Sequence, residues 1–182
     1  TNTDLVRAAA RGRSQLRVTT AAQLNGRPHL GTVTTIMAVF ALTTRLAEDL
    51  DLPATIVFDA LENAPAEHLT IDGRHYTRNV EDLIATGELD HVERTSGFRR
   101  LLAWASARSG VPWQERPYAT YQELTPVRSC LHTIACHQAE FAHLLAPTDG
   151  RIRIRPRCPH CRLMDKDAHH LSITAANGAV LL

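Results

Sequence analysis

Apolar residues in the first third of the chain follow a strand, helix, strand pattern. Residues 16–22 and residues 54–59 form two short apolar runs, each typical of a buried β-strand. Between these runs, apolar residues recur at helical spacing, at Val33, Ile36, Met37 and Phe40. Asn25 and Gly26 form a turn signal between the first run and this helix. The pattern therefore predicts a strand, a turn, a helix and a second strand.

The second half of the chain has a longer helical pattern that ends at a loop. Thr125 suits a helix N-cap and Pro126 suits the first helical position, which predicts one helix over residues 126–145. We expect Cys130 and Cys136 to be buried, inert thiols on this helix. Its buried stripe is predicted at Leu131, Ile134, Ala135, Ala142 and Leu145. The loop signal at 146–150 then separates a first domain, 1–149, from a small module, 150–182.

Length and composition limit the class of protein. A chain of 182 residues that is 44% hydrophobic can bury one core and support one small appended module. It contains no run of about 18 apolar residues, the minimum for a membrane span. Its first residues also lack the apolar core of a signal peptide. We therefore expect a cytoplasmic protein that has no membrane partner.

The charge of the chain is nearly balanced. A net charge of +1 gives no overall attraction to nucleic acid. Locally, Arg151, Arg153 and Arg155 alternate with isoleucines, so a strand there would have one basic face and one apolar face. Two interpretations are open: the basic face follows an RNA backbone, or it keeps an edge strand soluble.

His29-Leu30-Gly31 is the strongest candidate for a ligand site, because it lies where the first strand gives way to the helix. A helix N-terminus offers unpaired N–H groups and the positive end of a dipole, which favour phosphate. Gly31 allows close approach of a flat ligand, and an imidazole can donate a hydrogen bond to a phosphoryl oxygen. The alternative is a loop histidine beside a turn glycine, with no ligand.

The stretch from Leu16 to Asp59 resembles the start of a class I aminoacyl-tRNA synthetase, closest to the class I, archaeal-type lysyl-tRNA synthetases. The shared parts are a strand, a glycine turn, a His-x-Gly signature, a long helix and a second strand that ends in acidic residues. The likeness continues through a third strand ending at 118–121 and the helix over 126–145. It then reaches a strand at 151–155, a Cys-Pro-His-Cys element and strands at 171–174 and 177–182.

This resemblance implies an α/β, Rossmann-like parallel sheet of the HUP type, with helices on both faces and a small zinc-ribbon-like module. It implies ATP with Mg²⁺, an amino acid and tRNA as ligands, in a two-step ligase reaction. The implied catalytic residues are His29 and Thr32. The residues that would bind ATP are Asn25, Gly26, His29, Gly31 and Thr32, and the amino-acid pocket would contain Gln23, Thr35, Asp59 and Tyr121.

The chain departs from the family pattern at three points. Thr32 replaces the Asn or His of the signature, and Thr35 replaces a glutamate that resembles the anchor for a lysine side chain. A hydroxyl cannot neutralise an ammonium, so the sequence predicts that lysine is not the preferred substrate. The one lysine, Lys166, does not match the family's second, lysine-containing signature, so either the catalytic domain continues beyond Leu182 or half of the site is missing.

Two other function classes are compatible with these residues. One is a stand-alone adenylyltransferase or a ligase that joins an activated amino acid to a small molecule. The other is a non-catalytic, synthetase-like paralogue that binds nucleic acid. An acceptor other than tRNA would indicate the first, and a failure to bind ATP would indicate the second.

Cys158-Pro159-His160-Cys161 suits either half of a zinc site or a redox pair. Its position near the end of the chain favours zinc, because a thioredoxin-like pair lies after an early strand with most of the fold still to come. The resemblance places the remaining ligands shortly before the last strands. We therefore expect zinc to be bound by Cys158 and Cys161 with both His169 and His170, or with one of these two histidines and His160 or Asp165. A degenerate knuckle that is partly or wholly free of metal is the alternative.

Overall fold

The computed structural model describes residues 2–145, 155, 157–165, 174–176 and 179–181. The chain divides into two compact units: the first comprises Thr1–Ala64 and Leu89–Tyr118, and the second comprises Pro65–Glu88 and Ala119–Leu182. The domain boundary predicted between 149 and 150 lies outside the described residues, and it stays a prediction.

The helices and strands alternate along most of the chain. The helices are α1 Asn2–Ala10, α2 Leu30–Leu50, α3 Val80–Ala85, α4 His91–Ser109, α5 Tyr118–Gln122, α6 Thr125–Cys136 and α7 Gln138–Leu145. The strands are β1 Leu16–Gln23, β2 Ala54–Leu61, β3 Pro65–Ile71, β4 Arg74–Asn79, β5 Trp113–Pro117, β6 Met164–Asp165, β7 Thr174–Ala176 and β8 Ala179–Leu181.

The first unit contains a three-stranded parallel sheet in the order β1-β2-β5. Its central strand, β2, is buried at Ile56, Val57 and Phe58, as expected for a parallel strand that is covered on both faces. Helix α2 connects β1 to β2 and packs against both strands and α4. The predicted strand, helix, strand order is confirmed, and the unit has a mixed α/β fold.

The two long helices of this unit have well-defined ends. Helix α4 begins at Asp90, whose carboxylate accepts hydrogen bonds from the N–H groups of Val92 and Glu93, 2.6 and 3.1 Å away. It ends at Gly110, whose φ of 72° lies in the left-handed region that glycine adopts without strain. The ring of Phe98 on α4 stacks on Phe58 of β2, with 5.9 Å between ring centroids. This aromatic pair fixes α4 against the middle of the sheet.

Helix α2 is long and apolar enough to cross a membrane by length and composition alone. The core helix of a soluble protein and a signal sequence meet the same two conditions, so this finding alone is weak evidence for a membrane span. In the first unit, Ile36, Phe40 and Thr43 of α2 are buried.

The second unit contains a hairpin that the sequence analysis missed. Strands β3 and β4 pair antiparallel through Asp72 and Gly73, which have φ values of 49° and 75°. Asp-Gly between two strands is a strong hairpin signal, because both residues tolerate positive φ. The short strand β6 pairs with β4, and α3 follows β4 directly.

The helix predicted over 126–145 is wrong in three respects. It is two helices, α6 and α7, because the backbone leaves helical geometry at His137, with φ −119° and ψ 41°. Its N-cap is Leu124, so Thr125 is the first helical residue and caps nothing. The predicted stripe is also not uniformly buried, since Leu131 is 44% exposed and Leu145 is 55% exposed.

Cys130 and Cys136 are exposed on α6, so the prediction of buried thiols is wrong as well. Near the end of the given sequence, β7 and β8 pair antiparallel. Strand β8 lies within the strand expected at 177–182. Strand β7 shares only Thr174 with the strand expected at 171–174, and residues 171–173 lie outside the described residues. The strand predicted at 151–155 lies outside the described residues except for Arg155, which is not in a strand.

An ion-pair cluster on the second unit predicts a pH dependence of its stability. Arg78 of β4 contacts Glu67 at 3.1 Å and Glu88 at 2.5 Å. Hydrogen bonds from Arg78 and Thr86 lower the pKa of Glu88 to about 2 from its ordinary 4.5. Because the folded-state pKa is lowered, this stabilisation is complete above pH 4.5 and is lost as the pH falls toward 2.

The expected result is that Glu88→Gln lowers the urea midpoint of the second unit at pH 7. The difference between the wild type and this variant should shrink as the pH is lowered from 5 to about 2. Circular dichroism during urea unfolding at each pH measures this difference. A difference that does not change with pH would show that the Glu88 carboxylate has no such role.

Candidate functional site

A cleft of about 470 Å³ lies in the first unit, where β1 passes into α2. This volume is in the range of small-molecule sites. The cleft brings together all the site residues that the sequence analysis predicted between 23 and 35. These are Gln23, Asn25, Gly26, His29, Gly31, Thr32 and Thr35.

His29 is the N-cap of α2. Its Nδ1 accepts a hydrogen bond from the N–H of Thr32 at 3.4 Å, and its Nε2 is 3.2 Å from the Thr32 hydroxyl. Since Nδ1 is an acceptor, the proton of the neutral ring is on Nε2, which donates to that hydroxyl. Thr32 can then donate its own hydroxyl proton to a ligand. The pair therefore offers donors at the start of α2, beside the positive end of the helix dipole.

Gly31 lies close to the His29 ring. A Cβ at residue 31 would be 3.1 Å from His29 Cε1 and 3.2 Å from Nδ1, closer than ordinary van der Waals contact. The imidazole thus lies close to the backbone of Gly31, where a larger residue would have to displace the ring by a few tenths of an ångström. Capping of α2 requires no ligand, so the alternative of a histidine beside a glycine with no ligand stays open.

The charged and apolar groups of the cleft favour an anionic ligand with a flat or apolar part. Of the described residues that line it, Arg27 and His29 can carry positive charge, and no aspartate or glutamate is among them. Its apolar wall includes Ile36 and Phe98, which are 1% and 2% exposed. A nucleotide combines these two kinds of surface.

Thr35 lines the cleft but cannot act as a charged anchor. Its hydroxyl donates to the carbonyl of Gly31 at 3.0 Å, in the same way that Thr34 bonds to Leu30 at 2.9 Å. Thr35 therefore presents only a methyl group and an oxygen lone pair to the cleft. Neither would balance a buried ammonium.

Asp59, the residue expected to bind a substrate amino group, is not among the residues that line the cleft. Arg116 donates to both carboxylate oxygens, from Nε at 2.6 Å and from Nη2 at 2.9 Å. The two residues are cross-strand partners on β2 and β5, and Asp59 is 6% exposed. The neighbouring acid, Glu62, accepts from the N–H of Tyr118 at 3.0 Å. The predicted substrate contact of Asp59 stays a prediction.

Tyr121 was placed at the end of a third strand, and this placement is wrong. Strand β5 ends at Pro117, and residues Tyr118–Gln122 form the short helix α5. Pro117 cannot donate a backbone hydrogen bond, which explains why the strand stops there. Tyr121 belongs to the second unit.

Cys158 and Cys161 lie in a tight turn. The Cys158 carbonyl accepts from the N–H of Arg162 at 3.0 Å, and Arg162 has a φ of 62°. Hydrogen bonds from the backbone N–H groups of Cys161 and His160, and then from the Cys161 side chain, lower the pKa of the Cys158 thiol. Asp82 accepts from Arg157 at 3.0 Å and from Arg162 at 2.9 Å, so both ends of the turn contact α3.

This turn provides two of the four ligands that a structural zinc ion needs. His169 and His170, the other two predicted ligands, lie outside the described residues. Within the described part of the chain, no three histidine, cysteine, aspartate or glutamate residues form a group that could hold a metal ion. Zinc binding therefore stays a prediction.

The sequence analysis did not predict three residues in or near the site. They are distant from it in the chain and belong to no recognised motif. Phe98 reaches the cleft from α4, and only a helical pattern over 91–109 could have indicated it. Gly97 allows α4 to pass close to the signature loop, since a Cβ there would be 3.0 Å from Pro28 Cδ. Arg116 is the partner of Asp59, and the sequence gives no signal for this pair.

Comparison with known proteins does not assign the chain to a family. No protein-family model matches the chain, and no curated protein matches it. The residues and geometry of the cleft therefore have to support any functional assignment.

Proposed function

We propose that the first unit binds ATP in the cleft at the start of α2 and uses it to activate an amino acid. In the first step, the amino-acid carboxylate attacks the α-phosphorus of ATP, pyrophosphate leaves, and an aminoacyl-adenylate forms. In the second step, the aminoacyl group passes to the 3′-terminal ribose of tRNA and AMP leaves. The finer fold that we propose for this unit is the Rossmann-like core of a class I synthetase.

One observation carries this proposal. His29 is held over Gly31 as the N-cap of a long helix, at the end of a parallel strand and beside a cleft. In open α/β sheets, ligands bind at the carboxyl ends of the strands. Donors fixed at that position stabilise charge that develops on a phosphate without a cost of reorganisation.

The apolar wall of the cleft supports a nucleotide over a simple inorganic anion. A phosphate group alone would need only the donors at the start of α2. The lining also includes apolar side chains, of which Ala21 is exposed, and these provide a surface for a base or an apolar side chain. The cleft volume of about 470 Å³ also exceeds what a single phosphate requires.

Exchange of labelled pyrophosphate into ATP, run with the full chain and each amino acid in turn, tests this proposal. Activity that depends on one amino acid supports adenylate formation. Adding tRNA, and then candidate small-molecule acceptors, distinguishes a tRNA ligase from a small-molecule ligase. If calorimetry detects no ATP binding and exchange is absent with every amino acid, the proposal is wrong.

The same screen tests the side-chain specificity. We expect lysine not to be the preferred amino acid, because Thr35 has no charge and no acidic residue is among the described residues that line the cleft. A buried ammonium with no partner costs several kcal/mol, which corresponds to a discrimination of more than about 10²-fold. A clear preference for lysine would contradict this expectation and would require an acid from elsewhere.

We also propose that one zinc ion per chain is bound by Cys158 and Cys161 together with His169 or His170. Two thiols in a turn whose N–H groups point at sulfur suit a metal that binds thiolate. In such a site, metal ligation would supply part of the folding free energy of the segment that contains the turn.

The expected result is about one equivalent of zinc by elemental analysis of protein purified without chelator. The double variant Cys158→Ser, Cys161→Ser should lose the zinc and be cut faster by trypsin after Arg157. Cys130→Ser with Cys136→Ser is the matched control, because both thiols are exposed on α6, and it should keep the zinc. Metal-free wild-type protein that resists trypsin equally well would contradict the zinc site.

A further inference from the structure

Arg27 is a cation that no part of the reaction described above uses. It lies in the loop between β1 and α2, two residues before His29, and it lines the cleft. Its side chain is exposed, so it can reach a ligand without paying for burial of its charge. Within the part of the chain that the structure describes, no acidic group forms an ion pair with Arg27.

Arg116 shows the opposite arrangement in the same unit. Its Nε and Nη2 donate to Asp59, and its side chain is 23% exposed. Its charge is therefore balanced within the protein, whereas that of Arg27 adds to an unbalanced positive potential in the cleft. A cleft with positive lining and no acidic residue in its described wall concentrates anions.

The chemistry of guanidinium identifies the group that it would bind. Arginine has a planar fork of donors that matches two oxygens of one phosphate. The imidazole of His29, which also lines the cleft, uses Nδ1 to accept a hydrogen bond from its own helix. The polyphosphate of ATP carries several negative charges, which a single imidazole and a helix terminus would balance only in part.

We propose that Arg27 binds the polyphosphate of ATP and is a phosphate-binding residue of the cleft. This inference rests on the proposed function, because it takes ATP as the ligand. In this proposal, Arg27 of the β1-α2 loop neutralises negative charge on the phosphates. Arg27 would then contribute affinity in proportion to the number of phosphates on the nucleotide.

The test is a calorimetric binding series of the full chain with adenosine, AMP, ADP and ATP. Arg27→Gln should bind adenosine as the wild type does and should bind ATP on the order of tenfold to hundredfold more weakly. Arg27→Lys keeps the charge but not the fork, so we expect an intermediate loss for ATP. Arg17→Gln is the matched control, since Arg17 is exposed on β1 of the same unit and is not among the lining residues.

The outcomes separate this inference from the proposed function. If the wild type binds no nucleotide, the proposed function is wrong and the inference falls with it. If the wild type binds ATP and Arg27→Gln binds all four ligands equally well, only the inference is overturned. An equal loss for adenosine and for ATP would also overturn it, because it would show that Arg27 shapes the loop and does not bind phosphate. Thermal melting of each variant confirms that the exposed substitutions leave the fold intact.

Discussion

Replacing His29 by alanine is expected to slow aminoacyl-adenylate formation by about 10²-fold or more, as for the loss of one donor to a transition state. The imidazole lies over Gly31 at the start of α2 and donates from Nε2 to the Thr32 hydroxyl, which leaves the hydroxyl proton of Thr32 to donate to a phosphoryl oxygen. Without the imidazole, that donor is no longer oriented. Pyrophosphate exchange at saturating amino acid measures the rate. Because His29 also caps α2, the variant should in addition lose about 1 kcal/mol of stability.

Two further variants separate the chemical role of His29 from its structural one. His29→Ser retains a side-chain acceptor for the helix N–H groups. Compared with His29→Ala, it should therefore recover the free energy of unfolding but not the rate of pyrophosphate exchange. His143→Ala is the matched control, because His143 is exposed in the last turn of α7. If His29→Ala exchanges pyrophosphate as fast as the wild type does, His29 has no part in the chemistry.

Replacing Asp59 by alanine is expected to lower the free energy of unfolding of the first unit by about 3 kcal/mol, near the lower end for breaking a buried ion pair. The variant would remove both acceptors of the Arg116 fork in the middle of the sheet. The cost stays near the lower end because Arg116 keeps 23% exposure and some contact with water.

Tryptophan fluorescence during urea unfolding measures this loss selectively. The two tryptophans, Trp104 on α4 and Trp113 on β5, both belong to the first unit. Asp49→Ala is the matched control. It breaks an ion pair on the surface of α2, in which Arg45 Nη2 and Asp49 Oδ1 are 3.0 Å apart. This variant should lower the free energy of unfolding by less than about 0.5 kcal/mol. Equal losses in the two variants would contradict a stabilising role for the Asp59–Arg116 pair.

Local sequence was sufficient to predict the strand, turn and helix that form the cleft. The apolar run at 16–22 predicted a strand, and the helical spacing after Gly31 predicted a helix. Both elements are confirmed, as β1 and α2. The candidate residues from Gln23 to Thr35 are brought together for the same reason, since they are near neighbours in the chain. Phe98 and Arg116 could not be predicted, because their contacts depend on how distant elements pack.

The errors have identifiable physical causes. Apolar periodicity continues across His137, so it cannot show that the backbone leaves the helix there. The apolar positions over 126–145 also do not show how much of that helical face other elements cover. Leu131 belongs to this face and is exposed. The hairpin of β3 and β4 was not predicted, although Asp72-Gly73 is a local signal for it.

The most direct test of the central claim is an NMR titration of the ¹⁵N-labelled full chain with ATP. If ATP binds at the start of α2, the largest amide shift changes should fall on Gly31, Thr32 and Val33, with smaller changes at Gln23 and Phe98. His29→Ala should reduce these changes at the same ATP concentration. Shift changes confined to the second unit, or none at all, would contradict an ATP site in this cleft.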